Sequence, residues 1–232
     1  MKKIVSMVLA FVLVMTVQAS VFANGNQSPE DLVQQRVEQS KESRLQLQSA
    51  PLSSEIAAEL QRIAEQYEVG EALSPEDADF IKKYAPINLS DVEEGETVQI
   101  QATETYFFEG YNNNGLIDAG LQGFFQLTKG AINHSLRTYM LSYDRDGKVR
   151  PRITNTNTFV GYGLIGSDGV IGKVVDFTQS NQCTNRSECT MDKTTPFSGV
   201  MIYGYSAPVA QIYYSADTDE NSVTISEITE WD

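Results

Sequence analysis

The sequence predicts a mainly β protein: an antiparallel β-sandwich or jelly roll preceded by a short helical N-terminal segment. Apolar residues recur at helical spacing in the first part of the chain, whereas they alternate with polar residues from Thr97 onward. Strand candidates then follow one another, with turn residues at short intervals and no helical pattern between them. This succession is typical of antiparallel sandwiches and jelly rolls.

The first 23 residues predict a secretory signal peptide. Two lysines precede an apolar run from residue 4 to residue 17, and Val21-Phe22-Ala23 supplies a signal-peptidase site. The apolar run is too short for a convincing membrane span. We therefore expect a secreted, extracellular protein without stable membrane anchoring. The chain divides into a signal peptide (1–23), a helical N-terminal segment (24–94) and a β-sandwich domain (95–232).

The charge balance of the chain is strongly acidic. Its formal net charge is −14, and removal of Lys2 and Lys3 with the signal peptide takes it to −16. Such a charge opposes binding to nucleic acid and to anionic lipid by simple repulsion. We expect no nucleic-acid partner, and the oligomeric state is left open.

The two cysteines, Cys183 and Cys189, predict a disulfide bond. Outside the cell an even pair at close range is most simply a structural bridge, here closing a polar loop and worth about 2 kcal/mol. A redox or metal pair is the alternative, but the spacing is not Cys-x-x-Cys and no histidine lies nearby in the sequence.

Three helices are expected before residue 85. Two share one start signal, Ser28-Pro29-Glu30-Asp31 and Ser74-Pro75-Glu76-Asp77, in which Ser caps the helix and Pro suits its first position. Between them a third helix is predicted by apolar residues at helical spacing: Ile56, Leu60, Ile63, Ala64 and Tyr67. Because these apolar stripes are narrow, we expect the helices to dock on the strand domain, on a partner, or on each other across a dimer.

Strand patterns fill the rest of the chain. After a first strand from residue 98, alternation predicts strands over 121–128, 135–143, 150–160, 170–178, 197–205, 209–215 and 222–229. Hairpin turns are predicted at 144–148, 167–169 and 217–221, where Asp, Gly, Ser and Asn accumulate.

Two acidic turns raise the question of a structural calcium ion. Asp144 and Asp146 occupy the first, and Asp217, Asp219 and Glu220 occupy the second. A helix-loop-helix calcium site needs more oxygen ligands and a late bidentate Glu, so turn formation explains these residues better. A structural calcium ion is left open, since calcium is common in secreted sandwiches, and no other cofactor is expected. The single histidine, His134, excludes a multi-histidine metal site, and its position predicts an exposed loop residue.

A group of basic residues marks the candidate ligand site. Five of the nine basic residues in the strand half fall between 137 and 152, across one predicted hairpin, and a polar series of Thr and Asn follows. A strand so poor in apolar residues is expected to be buried on neither face, and it could line a groove for a sugar polymer beside guanidinium groups. The alternative is a solvated edge hairpin protected by its charge. The candidate ligand-binding residues are Arg137, Tyr139, Arg150, Arg152, Asn155 and Asn157.

Two segments carry a resemblance to known families. Gly115-Leu116-Ile117-Asp118-Ala119-Gly120-Leu121-Gln122 resembles a segment of uncharacterised, secreted jelly-roll proteins of bacilli, of the concanavalin-like sandwich class. Tyr106-Phe107-Phe108-Glu109-Gly110-Tyr111 is similar to an aromatic-Gly-Tyr strand of sandwich-type alginate lyases, with Phe108 in place of a Lys. The Gln-Ile-His motif of those enzymes has no match. The resemblance therefore implies a fold more than an activity.

We expect a secreted binding protein that recognises an extracellular glycan or a cell-surface polymer, and we assign no catalytic residue. One alternative is a polysaccharide lyase on an acidic polymer, in which Arg137 or Arg152 neutralises a uronate carboxylate and His134 or Tyr139 takes the proton. The other is a non-enzymatic interaction protein of a biofilm or spore surface, contacted through the acidic helices.

Overall fold

The computed structural model describes residues 28–43, 54–85, 87–88, 102–130, 132–166, 169–215 and 222–226. The predicted signal peptide and the acidic turn at 217–221 lie outside these residues. Among the described helices, none has the length and apolar character needed to cross a membrane.

Each repeated start signal does cap a helix. The Ser28 hydroxyl accepts the amide of Asp31 at 3.2 Å, and the Ser74 hydroxyl accepts the amide of Asp77 at 3.1 Å. The three predicted helices are confirmed, and they are α1 (Pro29–Ser43), α2 (Ser54–Gln66) and α3 (Pro75–Tyr84).

The strands form two antiparallel sheets, as predicted for a mainly β protein. In chain order they are β1 (Ile87–Asn88), β2 (Ala102–Asn113), β3 (Asp118–Lys129), β4 (Asn133–Asp144), β5 (Arg150–Ile165), β6 (Val170–Arg186), β7 (Glu188–Ser198), β8 (Met201–Tyr213) and β9 (Ser222–Ser226). The four-stranded sheet has the order β2-β3-β4-β7. The five-stranded sheet has the order β1-β8-β5-β6, with β9 also paired to β8.

Several predicted strand boundaries are wrong: β5 and β6 run past their predicted ends at 160 and 178, and β8 unites parts of the predicted strands 197–205 and 209–215. The prediction of a single strand over 197–205 runs across the turn at Gly199 and Val200 that separates β7 from β8. Strand β7 itself was not predicted. Cys189 and Met191 alternate with exposed polar residues at its start, but Lys193 interrupts this short alternation and most of the other side chains are polar.

The two sheets bury one apolar cluster between them. It contains Phe108 and Leu136 from the four-stranded sheet together with Phe159 and Ile212 from the five-stranded sheet. Because successive side chains of a strand point to opposite faces, the intervening residues lie on the face turned away from this cluster. We call that face of each sheet its outer face.

The helices cover parts of both outer faces. Val33 and Val37 of α1 pack against the four-stranded sheet at Phe124. Ile63 of α2 packs against the five-stranded sheet at Tyr162, and α3 joins the same cluster. Of the three dockings expected from the sequence, the helices adopt the one on the strand domain.

The turn at 144–148 forms, but it is not a hairpin. It joins β4 of the four-stranded sheet to β5 of the five-stranded sheet, so these strands do not pair. Inside the turn, Asp144 Oδ1 accepts the amide of Asp146 at 2.8 Å, and Gly147 has a positive φ of 70°. Beyond it, the buried Arg150 donates from Nε to Asp144 Oδ2 at 2.6 Å. This buried ion pair holds the crossing point between the sheets.

The predicted disulfide bond between Cys183 and Cys189 is present. Cys183 belongs to β6 and Cys189 to β7, so the bond that closes this short ring also links one sheet to the other. Cys189 is buried in the central cluster, against which Cys183 packs.

Candidate functional site

The structure separates the six candidate ligand-binding residues into two sheets. Arg137 and Tyr139 lie on β4 of the four-stranded sheet, and the other four lie on β5 of the five-stranded sheet: Arg150, Arg152, Asn155 and Asn157. They therefore do not line one shared hairpin.

Arg137 and Tyr139 occupy the outer face of the four-stranded sheet. The ring of Tyr139 is buried and stacks on Phe124, with ring centres 5.2 Å apart and planes within 7°. The guanidinium of Arg137 lies 5.4 Å from the centre of the same Phe124 ring. This part of the site thus holds a cation and two stacked rings, and α1 lies over it.

Arg137 stands between two carboxylates. Its Nε and Nη2 atoms donate to both oxygens of Asp192, at 2.8 and 2.7 Å, and Nη2 lies 2.7 Å from Glu30 Oε1 on α1. The hydrogen bonds from Arg137 lower the pKa of Asp192. Burial raises the pKa of Glu30, but hydrogen bonds from its own backbone amide and from Arg137 outweigh that effect and lower it. Both carboxylates are therefore ionised at neutral pH.

Arg150 is fully engaged inside the protein. Besides its ion pair with Asp144, its Nη2 donates to the carbonyl oxygen of Leu116 at 3.1 Å. The side chains of both members of the pair are at most 5% exposed. Because a buried charge loses much of its stabilisation when its partner is removed, Arg150 has a structural role here.

Asn155 and Asn157 lie between the sheets, and both are 0% exposed. Asn155 accepts a hydrogen bond from Ser142 and donates to the carbonyl oxygen of Cys189 at 3.0 Å. Asn157 donates to Thr138 at 3.0 Å and accepts from Ser206 at 3.0 Å. The expectation that this strand is buried on neither face is wrong, because these polar side chains are satisfied by partners within the core.

Arg152 lies on the outer face of the five-stranded sheet, beside the threonines that alternate with the buried asparagines. Four rows of paired residues cross β6, β5 and β8 at these positions: Thr184–Arg152–Tyr213, Gln182–Thr154–Gln211, Ser180–Thr156–Val209 and Thr178–Thr158–Ala207. We call these twelve positions the polar face. The four β6 side chains are exposed, and those of β5 are half-buried.

The polar face is almost free of charge. Arg152 is the one charged residue among its twelve positions, in a chain that carries 31 acidic residues. Its guanidinium carbon lies 3.7 Å from the centre of the Tyr213 ring. The hydroxyls of Thr158 and Thr178 are 3.2 Å apart and hydrogen-bond across the strands. Hydroxyl and amide groups thus form an ordered array.

The helices divide the outer face of the five-stranded sheet into two regions. Val160, Tyr162 and Tyr205 pack beneath α2 and α3, and Ala207 packs partly against the same cluster. The polar face begins at Ala207 and continues along the strands away from the helices. Sequence reasoning missed its contributions from β6 and β8, because polar residues occupy both faces of β6 and hide which of them points outward.

The remaining candidates from the sequence have structural partners. His134 is buried rather than exposed: its ring stacks on Phe197 with centres 5.2 Å apart, and Nε2 lies 3.0 Å from the carbonyl oxygen of Gly199. The carboxylate of Asp144 is engaged by its own turn and by Arg150. Within the described ranges, no group of three or more His, Cys, Asp or Glu side chains is arranged to hold a metal ion.

Comparisons with known proteins add no family. No protein-family model matches the chain, and no curated protein matches it.

Proposed function

We propose that this is a secreted binding protein that recognises an extracellular glycan or a cell-surface polymer through the polar face. In this proposal residues 1–23 are removed as a signal peptide and the two sheets are the halves of a jelly-roll sandwich. The shared apolar cluster and the chain crossings between the sheets support the sandwich, and the disulfide bond is in keeping with an oxidising exterior.

One observation carries the proposal: nine of the twelve positions of the polar face carry a hydroxyl or an amide group, and its four β6 side chains are exposed. Solvated sheet faces usually carry charged side chains, and this chain has many to place there, yet Arg152 is the one charged residue among the twelve positions, beside the apolar Ala207 and Val209. Sugars are recognised mainly by hydrogen bonds to their hydroxyls, for which Thr, Ser and Gln offer both donors and acceptors. The regular strand spacing presents these groups to an extended chain.

Arg152 extends the range of ligands that the polar face accepts. A guanidinium binds carboxylates and sulfates through paired hydrogen bonds. The proposed ligand is therefore a polysaccharide whose hydroxyls hydrogen-bond to the threonine rows. When the polysaccharide is acidic, one of its acidic groups binds Arg152. None of the twelve positions of the polar face is acidic.

The test is a binding isotherm for mature protein against neutral and uronic-acid polysaccharides. The variant T154V/T156V keeps the β-branched shape of both residues and removes two hydroxyls, and we expect it to bind at least about tenfold more weakly, or ~1.4 kcal/mol. The matched control is T103V/T128V on the four-stranded sheet, where the two hydroxyls lie 3.2 Å apart. If the wild type binds no polysaccharide, or if T154V/T156V binds like the control, the proposal is wrong.

The lyase alternative keeps one supporting observation. Arg137 and Tyr139 share an outer face, so a uronate carboxylate at Arg137 would lie near the Tyr139 hydroxyl. His134 belongs to the opposite side of β4, by the period of two, and does not complete that site. Release of unsaturated sugar ends from a uronic-acid polymer would favour the lyase over the binding protein. If the protein is retained on a biofilm or spore surface but has no affinity for soluble glycans, the third alternative, an interaction protein, is favoured.

A further inference from the structure

Helix α1 is attached to its sheet differently from the other two helices, through side chains. Among its residues 28–38, whose side chains the structure describes, Val33 and Val37 are the buried ones. The α2–α3 unit, in contrast, also bonds to the sheet through its backbone, for example from the Gly70 amide to the Lys173 carbonyl at 2.7 Å. It buries seven apolar side chains: Leu60, Ile63, Ala64, Tyr67, Leu73, Ala78 and Ile81.

The sheet surface beneath α1 is unusually polar for a surface on which a helix packs. Gln122 is 0% exposed and donates to the Tyr111 hydroxyl, but its Oε1 has no hydrogen-bond partner among the described residues. Glu109 is 5% exposed on the neighbouring strand. A buried acceptor without a partner costs free energy. Glu109 is bound by Tyr111 and by Arg36 of α1, so Gln122 Oε1 and Glu109 are both acceptors beneath the helix. They are the groups that would meet the hydroxyls of a bound sugar.

The side chains of α1 reach the same groups that a ligand would use. Glu30 places a carboxylate on Arg137 at 2.7 Å, and Gln34 donates its amide to the Tyr139 hydroxyl at 3.2 Å. The guanidinium of Arg36 lies 3.9 Å from Glu109. The two valines cover the aromatic rings. The helix therefore supplies a carboxylate and an apolar surface, which an acidic sugar chain also carries, together with an amide.

We propose that the outer face of the four-stranded sheet is a second binding site, for a uronic-acid polysaccharide, and that α1 occupies it as a displaceable internal ligand. A uronate carboxylate takes the place of Glu30 at Arg137. The sugar ring packs on the stacked pair of Phe124 and Tyr139, and its hydroxyls donate to Gln122 Oε1 and Glu109. This inference rests on the proposed function in one respect, that the ligands of this protein are glycans, but it concerns a different sheet.

Competition between α1 and the ligand determines the affinity that is measured. When the site is open in a fraction of molecules, the apparent dissociation constant is the intrinsic one divided by that fraction. Weakening the docking of α1 therefore tightens binding, provided that most molecules start in the covered state. The expected change is a gain of affinity, whereas the loss of residues that bind the ligand directly would lower the affinity, so the test distinguishes the two cases.

The test uses the full mature chain and polygalacturonate. We expect the variant E30Q/V33A/V37A to bind at least about tenfold more tightly than the wild type. The control E55Q makes the same change of charge on an exposed residue of α2 and should bind like the wild type. Adding R137A to the triple variant should abolish the gain. Hydrogen exchange gives an independent readout: bound polygalacturonate should speed the exchange of α1 amides and slow that of β3 and β4.

The outcomes separate this inference from the proposed function. If the triple variant binds polygalacturonate no more tightly than the wild type, or if α1 amides stay protected when the polymer is bound, the inference is wrong. If the protein fails these two tests but still binds neutral glycans through Thr154 and Thr156, the inference is wrong and the proposed function is still supported. If instead the triple variant gains affinity for polygalacturonate while T154V/T156V binds neutral glycans like the wild type, the second site is supported and the proposed function is wrong.

Discussion

The ammonium group of Lys173 lies 2.7 Å from the carbonyl oxygen of Ala64, so a buried cation on β6 closes the last turn of α2. The same group lies 3.0 Å from the carbonyl oxygen of Tyr67 and 2.5 Å from the carboxylate of Asp176. Carbonyls at the end of a helix lack backbone partners and carry the negative end of its dipole, which a cation satisfies. Lys173 thus fastens α2 to the five-stranded sheet.

Replacing Lys173 should release that attachment. We expect K173M to lower the free energy of unfolding by about 2–3 kcal/mol, because hydrogen bonds to a charged donor are lost and the carbonyls are left buried. Chemical denaturation measures this. The control is K193M, which removes a lysine whose Nζ contacts the carbonyl oxygen of Ser180 at the surface and should change stability by less than about 0.5 kcal/mol. Equal effects of the two substitutions would contradict the role given to Lys173.

The disulfide bond should contribute modestly to stability. The closed ring is short, so the loop-entropy relation gives about 2 kcal/mol for its removal. We expect C183S/C189S to fold into the same sheets, with its urea midpoint lowered accordingly. Circular dichroism and denaturation of the variant, together with mass spectrometry of the unreduced wild type, check both statements. Two freely alkylated thiols in native protein would contradict the bond itself.

Much of the fold could be predicted because its signals are local. Ser-Pro-Glu-Asp starts both α1 and α3, and alternation finds β3, β4 and β5 to within a few residues, with β5 running on past its predicted end at residue 160. The pairing of β4 was not predictable in the same way. A turn such as 144–148 reverses the chain, but its residues do not determine whether the next strand joins the same sheet. That choice depends on long-range packing, here on the burial of Arg150 against Asp144.

The candidate site was predicted only in part, because residue type does not reveal which face of a strand is buried. In the series Thr154-Asn155-Thr156-Asn157-Thr158 every residue is polar, so alternation gives no direction. The structure buries the asparagines, whose amides find partners on both sides, and places the threonines on the polar face. Likewise, nothing in the local sequence of Arg137 indicates that Glu30, more than a hundred residues away, would reach it.

The two faces of β5 should respond oppositely to mutation. Asn157 bridges Thr138 and Ser206, so N157A should leave both hydroxyls without this partner in the core and destabilise the protein by about 1–3 kcal/mol. The neighbouring T156A on the polar face should change stability by less than about 0.5 kcal/mol. Urea denaturation of the two variants provides the comparison. If T156A were the more damaging, the assignment of inner and outer faces would be wrong.

The link between α2 and α3 predicts how stability depends on pH. The Asp77 carboxylate accepts a hydrogen bond from the Tyr67 hydroxyl at 2.6 Å, and it is also hydrogen-bonded by the side chains of Arg62 and Ser74. Burial raises the pKa of Asp77, but these three hydrogen bonds together outweigh it, and the pKa lies below its usual value. A carboxyl group whose pKa is lower in the folded state binds protons more readily when unfolded.

The ionised form of Asp77 therefore stabilises the protein at pH values above its unfolded pKa of about 3.9, and this contribution is lost as the pH falls through the lower, folded pKa. We expect D77N to be less stable than the wild type by about 1–3 kcal/mol at pH 7. Between pH 7 and pH 3 the wild type should lose more stability than D77N, because the variant has no carboxylate at position 77 to protonate. Unfolding free energies at both pH values measure the difference. The control D79N affects a more exposed carboxylate paired with Lys82 and should follow the wild type at both pH values. Parallel pH profiles for D77N and the wild type would show that Asp77 does not couple protonation to folding.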